Sequence, residues 1–394
     1  MLRIFNSQSR KKEKFKPIKD KEVSIYVCGM TPYDIAHLGH AFTYVFFDVL
    51  VRYLAFSGYK VNYTQNVTDV DDDILRTAKI ENKNWKKLGD FWTKKFTQDM
   101  EYLNVLPPTH FVKATGSMKR IKKIIQKLLD KNYAYSSGGN IYFDIAAFKN
   151  YGKLSRYSRH QMIALSRERG GDPSDPNKKN PLDFVLWQKS KKNEPAWIAP
   201  FGTGRPGWHI ECSAMVNQFL GDRVDIHGGG KDLIFPHHES EIAQSESYTD
   251  KTPFVKYWMH TAMILCNGEK MSKSLGNLIM INELRKYYSG DDIRWYLLSN
   301  YYRKPFEYDE YDLKESKKKL LLVKEALEDK KGTIGNFKSD MKTFEALMDD
   351  DLSTPETLKF VLELAKKVKK TAGKNKIAFQ ETLGSVTSTL GFRF

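Results

Sequence analysis

Apolar and polar positions alternate in a way that sets out an α/β chain. Residues 24–28, Ser-Ile-Tyr-Val-Cys, read as a short buried strand. A loop through Tyr33 and Asp34 leads to His37-Leu-Gly-His40, and Ala41 to Phe56 then runs apolar and aromatic until Ser57-Gly58, as a buried helix does. Residues 59–70 alternate as a second strand. Strand, loop, helix, strand is a parallel unit whose functional loop lies at the strand's carboxyl end. Ile121, Ile124, Ile125, Leu128 and Leu129 share a helical face opposite lysines, so 113–135 holds an amphipathic helix. The stretch 150–182, rich in Arg, Gly, Pro, Asp and Lys, predicts an irregular insertion, and Gly204-Arg-Pro-Gly-Trp-His-Ile-Glu-Cys212 is expected to open the other half of the sheet. Thr354 as N-cap and Pro355 at the first turn predict a helix, with Leu358, Val361, Leu362, Ala365 and Val368 in register up to Gly373.

The expected organisation is a first half-domain at 1–112, an insertion at 113–190, a second half-domain at 191–265, a loop segment at 266–315 and a helical domain at 316–394. A chain of 394 residues exceeds one ordinary core, and 41% hydrophobic with 28% charged residues is globular composition. No apolar run reaches membrane-spanning length, and the first residues lack an apolar secretion signal, so a cytoplasmic address is expected. Cys28, Cys212 and Cys266 are odd in number and far apart, which favours thiol or metal chemistry over disulfides; Cys266, in the run Met263-Ile-Leu-Cys, reads as core. The net charge of +16 suits a phosphate-bearing partner, although a lysine-rich composition alone also produces it.

His37 and His40 stand three positions apart at a helix mouth, on one face. Their N–H groups and the helix N-terminus can meet triphosphate oxygens, and Gly39 admits the nucleotide close to the backbone. Lys270-Met-Ser-Lys-Ser274 follows an apolar strand, and Lys270 and Lys273 can neutralise charge on departing pyrophosphate. In this order and at this separation the two motifs resemble those of class I aminoacyl-tRNA synthetases, apart from leucine at position 38 where isoleucine is commonest. His237 and Glu241, at i and i+4, share a helical face; with Cys212 upstream and Cys28 beside the nucleotide motif they form a candidate Cys₂HisGlu metal site.

The blocks Tyr26-Val-Cys-Gly29, Trp208-His-Ile-Glu-Cys212, Asp225-Ile-His-Gly-Gly-Gly230 and Phe235-Pro-His-His-Glu239 resemble cysteinyl-tRNA synthetases, over residues 1 to about 370. That resemblance implies a Rossmann-like sheet and one Zn²⁺ on Cys28, Cys212, His237 and Glu241 that takes the substrate thiolate. It implies Trp208, His227 and Asp232 near the bound cysteine, Gly29, Thr31, Gly39, Thr43, Asn66 and Ile264 around the adenylate, and Mg²⁺ arriving with ATP. The expected activity is ATP-dependent activation of L-cysteine and transfer to tRNA-Cys. A related ligase, which joins cysteine to the amine of glucosaminyl-inositol in mycothiol synthesis, is the alternative: Arg167-Glu-Arg-Gly-Gly-Asp-Pro173 and Gly29-Met-Thr-Pro-Tyr-Asp34 are closer to it, and the chain is shorter at its C-terminus than many of the synthetases. Lys178-Lys-Asn-Pro-Leu-Asp-Phe184, Glu239-Ser-Glu-Ile-Ala-Gln-Ser-Glu246 and the charge favour tRNA. A third reading is an inactive paralogue serving as a binding module.

Overall fold

In this computed structural model the described residues are 1–271, 275–328, 338–371 and 374–394. Five strands, Glu22–Met30, Lys60–Val67, His110–Lys113, Val224–Gly230 and Val255–Thr261, form the central sheet. Every neighbouring pair is parallel, and the spatial order runs from the strand at 255 through those at 224, 22 and 60 to the strand at 110. The chain builds outward from Glu22–Met30 to one side and returns to build the other. That strand is therefore the switch point, and the crevice at its carboxyl end is where an open α/β sheet binds ligands. Covered on both faces, it reads as an unbroken apolar run: Ile25, Tyr26 and Val27 are fully buried.

The helix Leu38–Phe56 packs in the main core with Phe344, Leu358 and Val361 of the helical end. Asp48 is buried within it and ion-pairs with Arg52 at 2.9 Å and with the buried Arg294, which also donates to the carbonyls of Leu103 and Leu390. A lone buried carboxylate is costly, and this pairing ties the sheet to the chain's last residues.

An insertion separates the two halves of the sheet. Its antiparallel sheet joins Ala134–Ser137, Asn140–Phe143, Phe184–Lys189 and Gly204–Pro206 in that order. The amphipathic helix is Met118–Asp130, burying Met118, Ile121, Ile124, Ile125 and Leu128. Two features differ from the sequence reading. The stretch 150–182 contains a helix, Arg159–Glu168, started by a capping box in which Ser158 accepts from Gln161 N and the Gln161 side chain accepts from Ser158 N. Gly204–Pro206 completes the antiparallel sheet, so the second half of the central sheet begins only at Val224.

Ile264–Cys266 pairs with Glu269–Lys270 as a hairpin and, on its other side, in parallel with Phe306–Glu307. Cys266 is half-buried against the main core. The helices Glu310–Glu328, Lys338–Asp349, Thr354–Lys370 and Lys374–Thr389 follow. The cap of the third is Ser353, one residue before the expected Thr354, with Pro355 in the first turn. The expected division after 190 follows the strand Phe184–Lys189, whereas those after 112, 265 and 315 fall inside the strands His110–Lys113 and Ile264–Cys266 and the helix Glu310–Glu328.

Candidate functional site

At the carboxyl end of the central strand lies a cavity of about 410 Å³. One wall is the start of the helix Leu38–Phe56. His37 caps it: its backbone is extended, its Nδ1 accepts from Gly39 N at 3.1 Å, and His40 Nδ1 accepts from His37 N at 3.5 Å. The two rings stack with centroids 3.8 Å apart. With both Nδ1 atoms used as acceptors, a neutral ring carries its proton on Nε2, which remains as a donor. Burial, then the neighbouring His40, lowers His37 to about 3, and burial lowers His40 to about 4. At pH 7 the pair can hydrogen-bond phosphate oxygens but adds no positive charge.

Close backbone approach explains the glycines. A Cβ on Gly39 would stand 2.9 Å from His37 Cε1, and one on Gly29 would stand 1.5 Å from the Asn66 carbonyl oxygen. Gly29 N donates to Asn66 Oδ1 at 2.7 Å, which fixes the two central strands at the cavity floor. Thr43 Oγ1 meets Thr261 Oγ1 at 2.8 Å, pinning the helix to the neighbouring strand. Lys270, half-exposed at the hairpin, pairs with Glu168 of the insertion helix at 2.5 Å. This bond, more than any other influence, holds the Glu168 carboxyl below its ordinary value. Lys273 lies outside the described residues.

The opposite wall carries the thiols. Cys28 ends the buried run of the central strand, Cys212 sits in the helix Trp208–Phe219, and His237 and Glu241 occupy successive turns of His237–Thr249. One ligand atom from each lies within 4.8 Å of the others. His237 Nε2 is 3.2 Å from Glu241 Oε1, and His237 Nδ1 is 3.0 Å from His209 Nδ1. Burial alone would raise both thiols; the hydrogen bond from Cys28 and the neighbouring His237 outweigh it at Cys212, holding that thiol well below its ordinary value. Burial, then the bond to Cys212, raises Cys28. The two thiols are thus pushed in opposite directions, Cys212 toward the thiolate and Cys28 away from it. Glu241 Oε2 is buried without a hydrogen-bond partner, and burial, then the neighbouring Cys212, raises its carboxyl well above the ordinary value; a bound cation would supply the missing partner.

Cys28, Gly29, Thr31, His37, Gly39, His40, Thr43, Asn66, Trp208, Cys212, Asp232, His237, Ile264 and Lys270 all line this one cavity. Trp208 stacks on His237 with ring centroids 4.4 Å apart. Glu241 and His227 lie behind the wall, fully buried. His227, expected beside the substrate, is placed beneath the thiol: its Nε2 is 3.7 Å from Cys28 Sγ and 3.4 Å from Glu241 Oε1. With His238 it completes a second compact set, Cys28, His227, His238 and Glu241. Sequence reasoning passed over His238, whose Nε2 is 3.3 Å from Cys28 Sγ and whose Nδ1 meets His260 Nε2 at 2.8 Å. The doubled histidine in Phe235-Pro-His-His-Glu239 was its only signal. Arg169 also reaches the rim, donating to the Asp232 carbonyl.

Residues 14–318 match the family described as tRNA synthetases class I (C) catalytic domain, and residues 343–394 match the DALR domain. The chain belongs to the class I (C) tRNA synthetases. It is a ligase of the kind that forms an aminoacyl adenylate. It is 44% identical over 371 residues to the cysteine-tRNA ligase of Shewanella denitrificans, covering 93% of this chain and 80% of the relative. To that of Legionella pneumophila it is 43% identical over 396 residues, covering 100% and 85%. Methionyl-tRNA synthetase of Mycobacterium tuberculosis in complex with methionyl-adenylate superposes with a TM-score of 0.66 at 16% identity, over 94% of this chain and 89% of that one, which establishes the shared fold. Among the described residues no helix is long and apolar enough to cross a membrane.

Proposed function

We propose that this chain activates L-cysteine with ATP, giving cysteinyl adenylate and pyrophosphate, and passes the cysteinyl group to tRNA-Cys in the cytoplasm. The observation that carries the reading is a single cavity joining the His37/His40 helix mouth and Lys270 on one side to Cys28, Cys212 and His237 on the other. ATP needs the first group and a thiol-bearing amino acid the second.

The donor set fits Zn²⁺: two thiols, an imidazole and a carboxylate suit a borderline-soft, four-coordinate cation. Cys212 and His237 face the cavity, whereas His227 and His238 of the alternative set do not, so the first set is the one a substrate can reach. Bound there, zinc supplies affinity for a thiolate that a hydroxyl cannot match. Serine is thereby rejected at binding, with no editing step required.

The protein's own groups do the remaining work. The cysteine carboxylate oxygen attacks the α-phosphorus of ATP, and the bond to the bridging oxygen breaks as pyrophosphate leaves with its Mg²⁺. The Nε2–H groups of His37 and His40 hold phosphate oxygens, and Lys270, once released from Glu168, neutralises charge on the leaving group, with Lys273 assigned the same role. Gly29, Thr31, Gly39, Thr43, Asn66 and Ile264 shape the adenylate seat, while Trp208 and Asp232 border the cysteine. A terminal ribose hydroxyl of tRNA then attacks the carbonyl carbon, and AMP departs.

One observation favours the second acceptor. Beside Trp208 and Arg169 opens another cavity, of about 510 Å³, walled by Gly170, Gly171 and Asp172 of the 167–173 loop and by more carboxylates than cations. Such a lining suits an amine-bearing sugar such as glucosaminyl-inositol better than a polyanion. Cysteine-dependent ATP–pyrophosphate exchange tests activation, and its absence would leave the inactive-paralogue reading. Preformed cysteinyl adenylate offered tRNA or glucosaminyl-inositol then decides the acceptor; cysteinylation of the sugar amine alone would overturn the tRNA assignment.

A further inference from the structure

Among the described residues, the turn between the helices Lys338–Asp349 and Thr354–Lys370 holds the most heavily bonded carboxylate outside the site. Asp351 is fully buried. Its oxygens accept from Phe5 N at 2.7 Å, Tyr301 Oη at 2.5 Å, Tyr302 Oη at 2.8 Å and Arg303 Nε at 2.8 Å, and the ion pair brings Arg303 Nη2 to 2.8 Å as well. Its own N–H donates to the Arg3 carbonyl at 2.8 Å. Asp351 and Leu352 both adopt left-handed backbone, at φ 61 and φ 52. For a leucine this conformation is unfavourable, so the surrounding contacts must enforce it.

The partners of Asp351 lead to the nucleotide cavity. Tyr302 stacks face to face on Phe46 of the His37/His40 helix, with centroids 4.0 Å apart, and its carbonyl accepts from Ala262 N at 2.7 Å. Ala262 lines the cavity beside Thr261, Met263 and Ile264. Four residues on from Tyr302, Phe306 and Glu307 pair with Ile264 and Leu265, and Tyr308 N donates to the Leu265 carbonyl at 2.8 Å. The 301–308 segment is therefore clamped at one end by the helical domain while its other end forms the edge of the hairpin that carries Lys270. A carboxylate receiving bonds from both a cationic and several neutral donors fixes position more firmly than any one of them alone.

We propose that Asp351 is a positioning residue for adenylate formation: through Tyr302 and the 301–308 segment it sets the height of Ala262–Ile264 and of the Lys270 hairpin, and so couples the helical domain to the ATP side of the cavity. Among the described residues, the cysteine side, built on the central strand and the helices that begin at Trp208 and His237, makes no direct bond to Asp351; the chain of bonds between them is longer, from Phe5 past Ser7 to His260 and His238. This rests on the adenylation reading above, and hydrogen exchange tests it independently of that reading.

Asp351→Asn keeps the shape and removes the charge. The expected result is a KM for ATP in pyrophosphate exchange raised roughly ten-fold or more, since small misplacements of positioning groups carry penalties of about that size, with the KM for cysteine unchanged. The amides of Ala262 and Tyr308 should exchange faster while those of the strand Val224–Gly230 stay protected. Tyr302→Phe, which removes one donor and retains the stack on Phe46, should shift both readouts the same way by less, and decides the matter if the asparagine variant does not fold. Asp350→Asn, whose carboxylate makes an exposed pair with Lys12 in the same turn, should leave both unchanged. Wild-type ATP dependence and wild-type amide protection in folded Asp351→Asn would overturn the proposal, as would equal rises in both KM values with the central strand exposed. If the wild-type protein shows no exchange, the adenylation reading fails, and the amide pattern still decides whether Asp351 controls the hairpin.

Discussion

Replacing Gly29 by alanine tests the construction of the cavity floor with a single methyl group. Gly29 has no positive φ, so alanine meets no backbone objection there and the effect is purely one of space. The methyl carbon would sit 1.5 Å from the Asn66 carbonyl oxygen and 2.6 Å from its carbon, whereas real contacts begin near 3.0 Å. The strands Glu22–Met30 and Lys60–Val67 would have to part locally by about 1.5 Å, the difference between those two distances. Both partners are backbone in a paired sheet and cannot rotate aside. Overpacking of this kind costs about 1–3 kcal/mol, and lengthening the bond from Gly29 N to Asn66 Oδ1 adds about 0.5–1.5 kcal/mol. The expected loss is therefore about 1.5–4.5 kcal/mol in denaturant unfolding. Adenylation should suffer separately, because a displacement of ~1 Å at positioning groups costs about a hundred-fold in rate. Gly116→Ala is the control: nothing lies within 4 Å of a Cβ there, and its midpoint and pyrophosphate exchange should be unaltered. A Gly29→Ala protein with wild-type midpoint and exchange rate would refute the close-approach argument.

Cys212→Ser should abolish stoichiometric zinc while ATP binding survives, as a hard oxygen replaces a soft sulfur ligand; full occupancy by elemental analysis would count against the ligand set. Lys270→Ala should slow pyrophosphate exchange by about 10²–10³, the usual size of one transition-state electrostatic contact, and an unchanged rate would remove it from the mechanism. Acid should destabilise the helix mouth. His37 and His40 are held at about 3 and 4, below the ordinary 6.5, so between those limits the unfolded chain binds protons that the native one does not. Stability present above pH 6.5 is thus lost as pH falls toward 4. A His37→Asn/His40→Asn protein should lose less over that window, and parallel denaturation curves for the two proteins would contradict the assignment.

Much of the site was legible because its chemistry sits in local patterns. Two histidines around a glycine at a helix start, and a histidine and glutamate one turn apart, have geometry fixed by helical spacing alone, and the structure gathers both around the central strand. Elements that depend on partners distant in sequence were harder to read. Gly204–Pro206 is too short to carry a period, and only its pairing with Phe184–Lys189 assigns it to the insertion. The helix Arg159–Glu168 was hidden by surrounding turn-forming residues, although Ser158 and Gln161 spelled its capping box. His227 alternates with buried neighbours on a strand, and nothing in the sequence separates a side chain facing the cavity from one lying beneath it. Ser353 and Thr354 both make good caps, so choosing the second misplaced the start by one residue.

The central strand borders its first neighbour at Lys60, but its other edge waits for Val224–Gly230; the bond from Ser24 N to Asp225 spans 201 residues. At ribosomal speeds of about 5–20 residues per second, that interval takes roughly 10–40 s of synthesis. Throughout it, Ile25, Tyr26 and Val27 present an unpaired apolar edge of the sort that captures other strands. Slow codons between residues 60 and 224 would lengthen that exposure, and with it the opportunity for aggregation, without altering a single amino acid.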